Sequence, residues 1–246
     1  MPGRPETMVF VQTDAEILVA RGITKLIRKY WTPPQHFRHL SKGGHVSALR
    51  RHKHDRYFAA FDIEHFFGAV TRNKVKRALL HLGMEFAEVE NIAHRSCVRT
   101  GEVRHVPFGY LQSPALASLV LDKSALGQEL RRLARSNQTF VTVFMDDIVL
   151  SHPNSAETLA EACARVEAAA EVARFKLSAS KTQLPGQELS VFNIRLEHEM
   201  LAIEPDRYEV FARTVLHHGP GPSTDGILGY VASVNDEQLS KLSELV

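Results

Sequence analysis

The 246-residue chain is 44% apolar and 24% charged, the composition of a globular protein long enough for one large domain or two small ones. Its longest apolar runs, such as residues 115–121, are too short for a membrane span, and the opening Met1-Pro2-Gly3-Arg4-Pro5 is unlike a secretory leader. Two distant cysteines, Cys97 and Cys163, exclude a disulfide scaffold and a cysteine zinc site, so a reduced, cytoplasmic protein without a membrane partner is expected.

The net charge of +2 is unevenly spread. Residues 1–56 hold eleven Lys or Arg against four Asp or Glu, a net +7, which leaves −5 on the remainder. A basic N-terminal segment on an acidic body points to a polyanionic partner. The histidine pairs His36/His39 and His52/His54 lack Cys or carboxylate companions, and no metal site is expected there.

In chain order, Ile17, Leu18, Leu26, Ile27 and Tyr30 predict a helix over 14–30, capped by Asp14 and stopped by Trp31-Thr32-Pro33-Pro34. An irregular basic stretch should run to Arg56, followed by a buried strand over 57–63. Helices are predicted over 71–82 and 86–96, a hairpin over 97–106, and one long helix over 114–135. Strands over 139–145 and 148–151 flank an Asp146-Asp147 turn. A helix follows to about residue 174, with an Asn154–Glu157 capping box. A hairpin around Glu197-His198-Glu199 and two or three short helices complete the chain. Hairpins dominate, so the pattern reads as α+β with an antiparallel sheet. No glycine-rich loop opens a helix after a strand, which argues against dinucleotide-binding and P-loop folds.

Two acidic sites stand where apolar residues are expected. Asp62 ends the run Phe58-Ala59-Ala60-Phe61, and Asp146-Asp147 sits between Phe144-Met145 and Ile148-Val149-Leu150. Crowded carboxylates in such surroundings need a compensating cation, and hard oxygen donors suit Mg²⁺.

Around these aspartates the chain carries an ordered series of motifs. Phe61-Asp62-Ile63-Glu64-His65-Phe66-Phe67 resembles motif A of reverse transcriptases. Val106-Pro107-Phe108-Gly109-Tyr110-Leu111-Gln112-Ser113-Pro114 resembles motif B, and Phe144-Met145-Asp146-Asp147 resembles motif C. Residues 177–182 look like motif D, 191–196 like motif E, and 227–234 like the start of a thumb. Each is weak alone; their order and spacing across residues 57–235 carry the resemblance, which has the character of the bacterial retron, group II intron and defence-associated branches. Three positions depart from it: Phe108 replaces the usual glutamine, Phe144 a tyrosine, and Asn193 a glycine.

The resemblance implies a right-hand polymerase with a ferredoxin-like antiparallel palm, short fingers and a reduced thumb. Residues 1–57 would form a basic fingers segment, 58–204 the palm with inserted fingers elements, and 205–246 a short helical thumb. It implies an RNA-directed DNA polymerase, a nucleotidyltransferase in which a primer 3′-hydroxyl attacks a dNTP with two Mg²⁺ ions, or Mn²⁺ in their place. Asp62, Asp146 and Asp147 would hold the ions with the Ile63 carbonyl, and Lys181 would protonate pyrophosphate. Phe67 would be a steric gate against ribose, and Phe108, Gly109, Gln112 and Ser113 would shape the nucleotide floor. Among Lys42, Arg50, Arg51, Lys53 and Arg56, one or two would hold the triphosphate and the others nucleic-acid backbone. The partners implied are an RNA template, a dedicated non-coding RNA among the options, a DNA product, and a partner protein or second copy to help grip the duplex. The setting implied is antiviral defence. The competing readings are template-independent or protein-primed DNA synthesis at the same site, and an inactive RNA-binding scaffold.

Overall fold

The computed structural model describes residues 9–136 and 138–246; the opening residues 1–5 lie outside them. The chain begins with helix α1 (Asp14–Tyr30), then a 3₁₀ turn (Arg38–Leu40) and α2 (Gly44–Arg50) lead into β1 (Tyr57–Asp62). Helices α3 (Phe66–Ala69), α4 (Arg72–Leu80) and α5 (Phe86–Ser96) and the β2–β3 hairpin (Val98–Thr100, Val103–His105) follow. Next come α6 (Ser113–Lys123), α7 (Ala125–Arg135), β4 (Phe140–Phe144), β5 (Asp147–His152), α8 (Ala156–Ala173) and β6 (Gln183–Gly186). A three-stranded sheet, β7 (Glu188–Val191), β8 (Ile194–Glu197) and β9 (Met200–Ile203), precedes α9 (Pro205–His218), α10 (Pro222–Ala232) and α11 (Asp236–Ser243).

The main sheet has strand order β4-β5-β1-β6 with antiparallel neighbours. Together with α6–α7 and α8 as its crossovers, this is the βαββαβ arrangement of a ferredoxin-like palm. β1 is buried on both faces because its side chains alternate between two cores. Ala59 and Phe61 join the core beneath α4–α8, whereas Phe58 and Ala60 join a second core formed with α2, β7–β9 and the C-terminal helices. The α+β expectation is met.

Several local expectations change. Thr13, not Asp14, caps α1, in a reciprocal capping box with Glu16. Ser155, not Asn154, caps α8, its Oγ accepting from the Thr158 N–H at 3.0 Å. The predicted 114–135 helix is two helices. Ser124 ends α6 and caps α7, and a side chain at Gly127 would place its Cβ 2.0 Å from the Leu121 carbonyl oxygen, so the close approach there requires glycine. The supposedly irregular stretch contains α2, whose Val46 and Leu49 are buried. One predicted hairpin is a three-stranded sheet, because Phe192 and Asn193 turn the chain with φ of 59° and 60°. Asparagine tolerates this left-handed region better than most residues, which accounts for Asn193 at a glycine position.

Cys97 and Cys163 are buried free thiols, and burial pushes them up to about 11 and about 12. Neither is a reactive thiolate at neutral pH.

Candidate active site

β1 and β5 pair so that Asp62 lies directly opposite Asp147. The β4–β5 hairpin turns through Met145 and Asp146, and the Ile63 N–H donates to the Asp146 carbonyl at 3.0 Å. Three carboxylates from two chain segments therefore meet at one end of the palm sheet. By strand geometry the Ile63 carbonyl faces the same edge as its N–H. A fourth group arrives from the loop after α8. The Ser178 N–H donates to the Asp62 carbonyl at 2.8 Å, and a turn closed by Lys181 N–H to Ser178 O at 3.2 Å brings the Lys181 ammonium to Asp62, 2.7 Å from Oδ2.

The electrostatics follow from this crowding. Asp62 is 6% exposed. Burial pushes Asp147 up to about 7, reinforced by the charges of Asp146 and Asp62. Asp146 is also raised, first by burial and then by Asp62. Lys181 is held above the usual lysine range, chiefly by its hydrogen bond to Asp62. Among the described residues no three acidic, His or Cys side chains are already closed into a metal cage. The donor set nevertheless fits a hard divalent cation: three carboxylates repel one another and a single lysine answers them.

Phe66 points into the core at 3% exposure, while Phe67 is half-buried and meets exposed Phe108 edge-to-face at 5.7 Å. The motif A and motif B aromatics are thus brought together. Gly109 has φ of 107°, and a Cβ there would sit 2.3 Å from the Phe10 carbonyl oxygen, so only glycine fits. Gln112 and Ser113 are each 1% exposed. Gln112 donates to the Ser96 hydroxyl at 3.3 Å and accepts from Gln12 at 3.2 Å. Both side chains are thus buried behind the Phe67–Phe108 pair.

The basic residues do not gather at the acidic site. Arg56 precedes Tyr57 at the far end of β1, six residues from Asp62 at roughly 3.3 Å per residue. Arg50 donates to the Ser233 carbonyl at 2.7 Å, Arg51 lies 6.0 Å from the centre of the Phe140 ring, and Lys53 is 3.8 Å from Glu199. These four therefore do not surround a triphosphate at the aspartates; exposed Lys42, before α2, lies toward the other end of that helix. Charge counting located a basic segment but carried no information about which end of a strand it would occupy.

Sequence reasoning weighed His39 only as half of a histidine pair and did not single out His45. His39 Nδ1 accepts from the Met145 N–H at 3.0 Å, and its Nε2 contacts Ser118 Oγ at 2.7 Å. Burial lowers this imidazole to about 4, so it is neutral at physiological pH. His45 sits among Phe144, Phe192 and Tyr230, its ring centre 5.2–5.9 Å from theirs. No local pattern marks either residue; their hydrogen-bond partners lie 79 to 185 positions away. His52 is spent inside the fold, its ring nitrogens 2.7 and 2.8 Å from the Ser151 and Thr142 hydroxyls.

A ferredoxin-like palm with clustered carboxylates at the end of its central strands, and a helical C-terminal unit beyond, defines a right-hand nucleic-acid polymerase fold. The chain belongs to the reverse transcriptase (RNA-dependent DNA polymerase) family, which it matches over residues 16–193. No curated protein matches it in sequence. Among solved structures it is similar to telomerase from Candida tropicalis in complex with a fragment of telomeric RNA, at 10% identity and a TM-score of 0.56, over 92% of this chain and 45% of that one. It is also similar to telomerase from Candida albicans, at 9% identity and a TM-score of 0.51, over 96% and 42%. A third similarity is to a foamy viral protease-reverse transcriptase bound to an RNA/DNA hybrid, at 13% identity and a TM-score of 0.51, over 83% and 29%. The chain spans less than half the length of each of these structures. At such identities the likeness is one of fold.

Proposed function

We propose that this chain is an RNA-directed DNA polymerase that adds dNTPs to a primer 3′-hydroxyl. The observation that carries this is the meeting of Asp62, Asp146 and Asp147 at one end of the palm sheet. Divalent cations serve this family generally; here Asp62, Asp146, Asp147 and the Ile63 carbonyl would hold Mg²⁺. Bound there, Mg²⁺ would activate the primer hydroxyl and offset charge on the departing pyrophosphate. The chain's own residues do the rest. The β1–β5 pairing fixes the carboxylates against one another, so little reorganisation is required when the substrate arrives. Lys181 holds a proton on Nζ beside Asp62 and would give it to the leaving pyrophosphate. Phe67 and Phe108 form an aromatic wall that would press on the sugar of the incoming nucleotide. The test is Mg²⁺-dependent primer extension on RNA templates, with products sequenced: untemplated products would favour template-independent synthesis instead.

A gate formed by Phe67 gives a direct expectation. Phe67→Val should raise rNTP use relative to dNTP by roughly tenfold or more, since the lost ring leaves room for the 2′-hydroxyl. Competition assays measure the ratio; an unchanged ratio would leave Phe67 as a packing residue alone.

We further propose the division into a basic segment 1–57, a palm 58–204 and a short thumb 205–246. Support comes from α9–α11, which share the second core with β7–β9. A partner protein or a second copy is proposed to help these helices grip a duplex. The exposed cations Lys42, Arg51 and Arg56, with half-buried Lys53, are proposed to track nucleic-acid backbone, whereas Arg50 braces α10. Replacing those four with Gln should flatten the slope of log affinity against log salt by about two or more, at roughly 0.7–0.9 per phosphate contact. Arg50→Gln should leave that slope unchanged. Filter binding at several salt concentrations separates these outcomes. The bacterial branch and a setting in antiviral defence are proposed from the motif resemblance, and phage challenge of cells carrying wild type or Asp146→Ala tests both.

A further inference from the structure

Met145, beside the paired aspartates, has φ of 60° without being glycine. It occupies the first position of a two-residue hairpin loop, a place usually given to glycine. Something outside the hairpin must hold it, and one side chain reaches it. His39 comes from the 3₁₀ turn, 106 positions earlier, and lies between the Phe37 and Phe144 rings at centroid distances of 6.0 and 5.9 Å.

We propose that His39 is the positioning residue of the catalytic turn, holding Met145 in its left-handed conformation and bolting that turn to α6. The inference rests on the reading of Asp62, Asp146 and Asp147 as catalytic. Donor and acceptor counting fixes the tautomer. A backbone N–H can only donate, so Nδ1, 3.0 Å from the Met145 nitrogen, is the acceptor. Nε2 then carries the ring proton and donates to Ser118 Oγ at 2.7 Å, and Ser118 donates onward to the Pro114 carbonyl at 2.7 Å. The Val143 carbonyl, 3.4 Å from Nδ1, is the longer contact and yields to the Met145 N–H. Every donor in this chain has one acceptor, and the chain runs from the turn that carries Asp146 to α6. His39 touches neither substrate nor metal in this arrangement; it acts through Met145.

Two near-isosteres separate its two bonds. Asparagine places a carboxamide oxygen near the Nδ1 position and keeps an acceptor for Met145. Glutamine places an amide nitrogen near Nε2 and keeps a donor for Ser118. Wild type, His39→Ala, His39→Asn, His39→Gln and Asp146→Ala are compared by Mn²⁺ titration followed by electron paramagnetic resonance, by single-nucleotide addition and by thermal melting. His39→Ala and His39→Gln should bind Mn²⁺ at least fivefold more weakly and add dNTP at least tenfold more slowly at saturation, with KM for dNTP within twofold. His39→Asn should stay within threefold of wild type in both assays. The proposal is overturned if His39→Ala matches wild type, if glutamine rescues and asparagine does not, or if losses simply track melting temperature across the three variants. Should wild type bind Mn²⁺ through Asp146 yet add no nucleotide, the polymerase reading fails while the Mn²⁺ comparison still decides the role of His39.

Discussion

Asp146→Ala should reduce dNTP incorporation by roughly a thousandfold or more, while the protein melts at the same temperature or slightly higher. The two halves of this expectation come from different atoms of one residue. The Asp146 carbonyl accepts from the Ile63 N–H and helps fix the end of β1; alanine keeps it. The carboxyl is crowded by Asp62 and raised, first by burial, so the fold disfavours its ionised form in the absence of a cation. On the proposed reading its value lies in catalysis, where removal of even one fixed electrostatic donor costs roughly 10²–10³. Loss of a carboxylate that holds the ion should cost more. Primer extension and thermal melting on the same preparation check this. Extension at the wild-type rate would remove Asp146 from the catalytic set, and a large drop in melting temperature would show that its side chain serves the fold.

The parts legible in the sequence are those encoded by neighbours. The aromatic and apolar density of residues 57–63 marked β1 as a buried strand, and a carboxylate at the end of the run Phe58-Ala59-Ala60-Phe61 marked Asp62. Asp146-Asp147 stood out because nothing local neutralised it, and the cation that faces the cluster, Lys181, pairs with Asp62 and comes from a loop 34 positions on from Asp147. What stayed hidden depends on distant partners or on backbone geometry. Gly43-Gly44 read as irregular chain, yet Gly43 with φ of 103° opens α2, and only burial against Phe58, Ala60 and Val149 makes that short helix worthwhile. The turn at Phe192-Asn193 has no glycine to announce it. His39 looked like one more member of a basic stretch; its meaning lies in a backbone N–H of a hairpin that had not yet been placed beside it. The N-terminal charge, by contrast, was visible without its geometry, because a count of lysines and arginines cannot say that Arg50 is turned to the Ser233 carbonyl at the end of α10.

Asp147 supplies the second large effect, a pH dependence with a definite sign. Its carboxyl is pushed up to about 7 in the fold from 3.8, first by burial and then by Asp146 and Asp62. Between about pH 4 and 7 the folded chain therefore holds a proton that the unfolded chain has released, and stability falls as pH rises through that window. Asp146 moves in the same direction. Lys181, raised rather than lowered, contributes stability that is fully present below the ordinary lysine range and is lost only above it, so it does not oppose the slope here. Burial lowers His36, His39 and His52 to about 4, about 4 and about 3, and these act in the opposite direction, so the effect of Asp147 is read against Asp147→Asn and not from wild type alone. Asp147→Asn should melt higher than wild type at pH 8 without metal, each 1 kcal/mol of relieved repulsion raising Tm by about 2–4 °C, and the two should converge at pH 5. Mg²⁺ binds the ionised carboxylates, so its stabilisation of wild type should be larger at pH 8 than at pH 5 and should shrink in Asp147→Asn. Differential scanning calorimetry with and without Mg²⁺ at the two pH values measures all four differences. An equal Mg²⁺ shift at both pH values would mean that the acidic cluster is not where the ion binds.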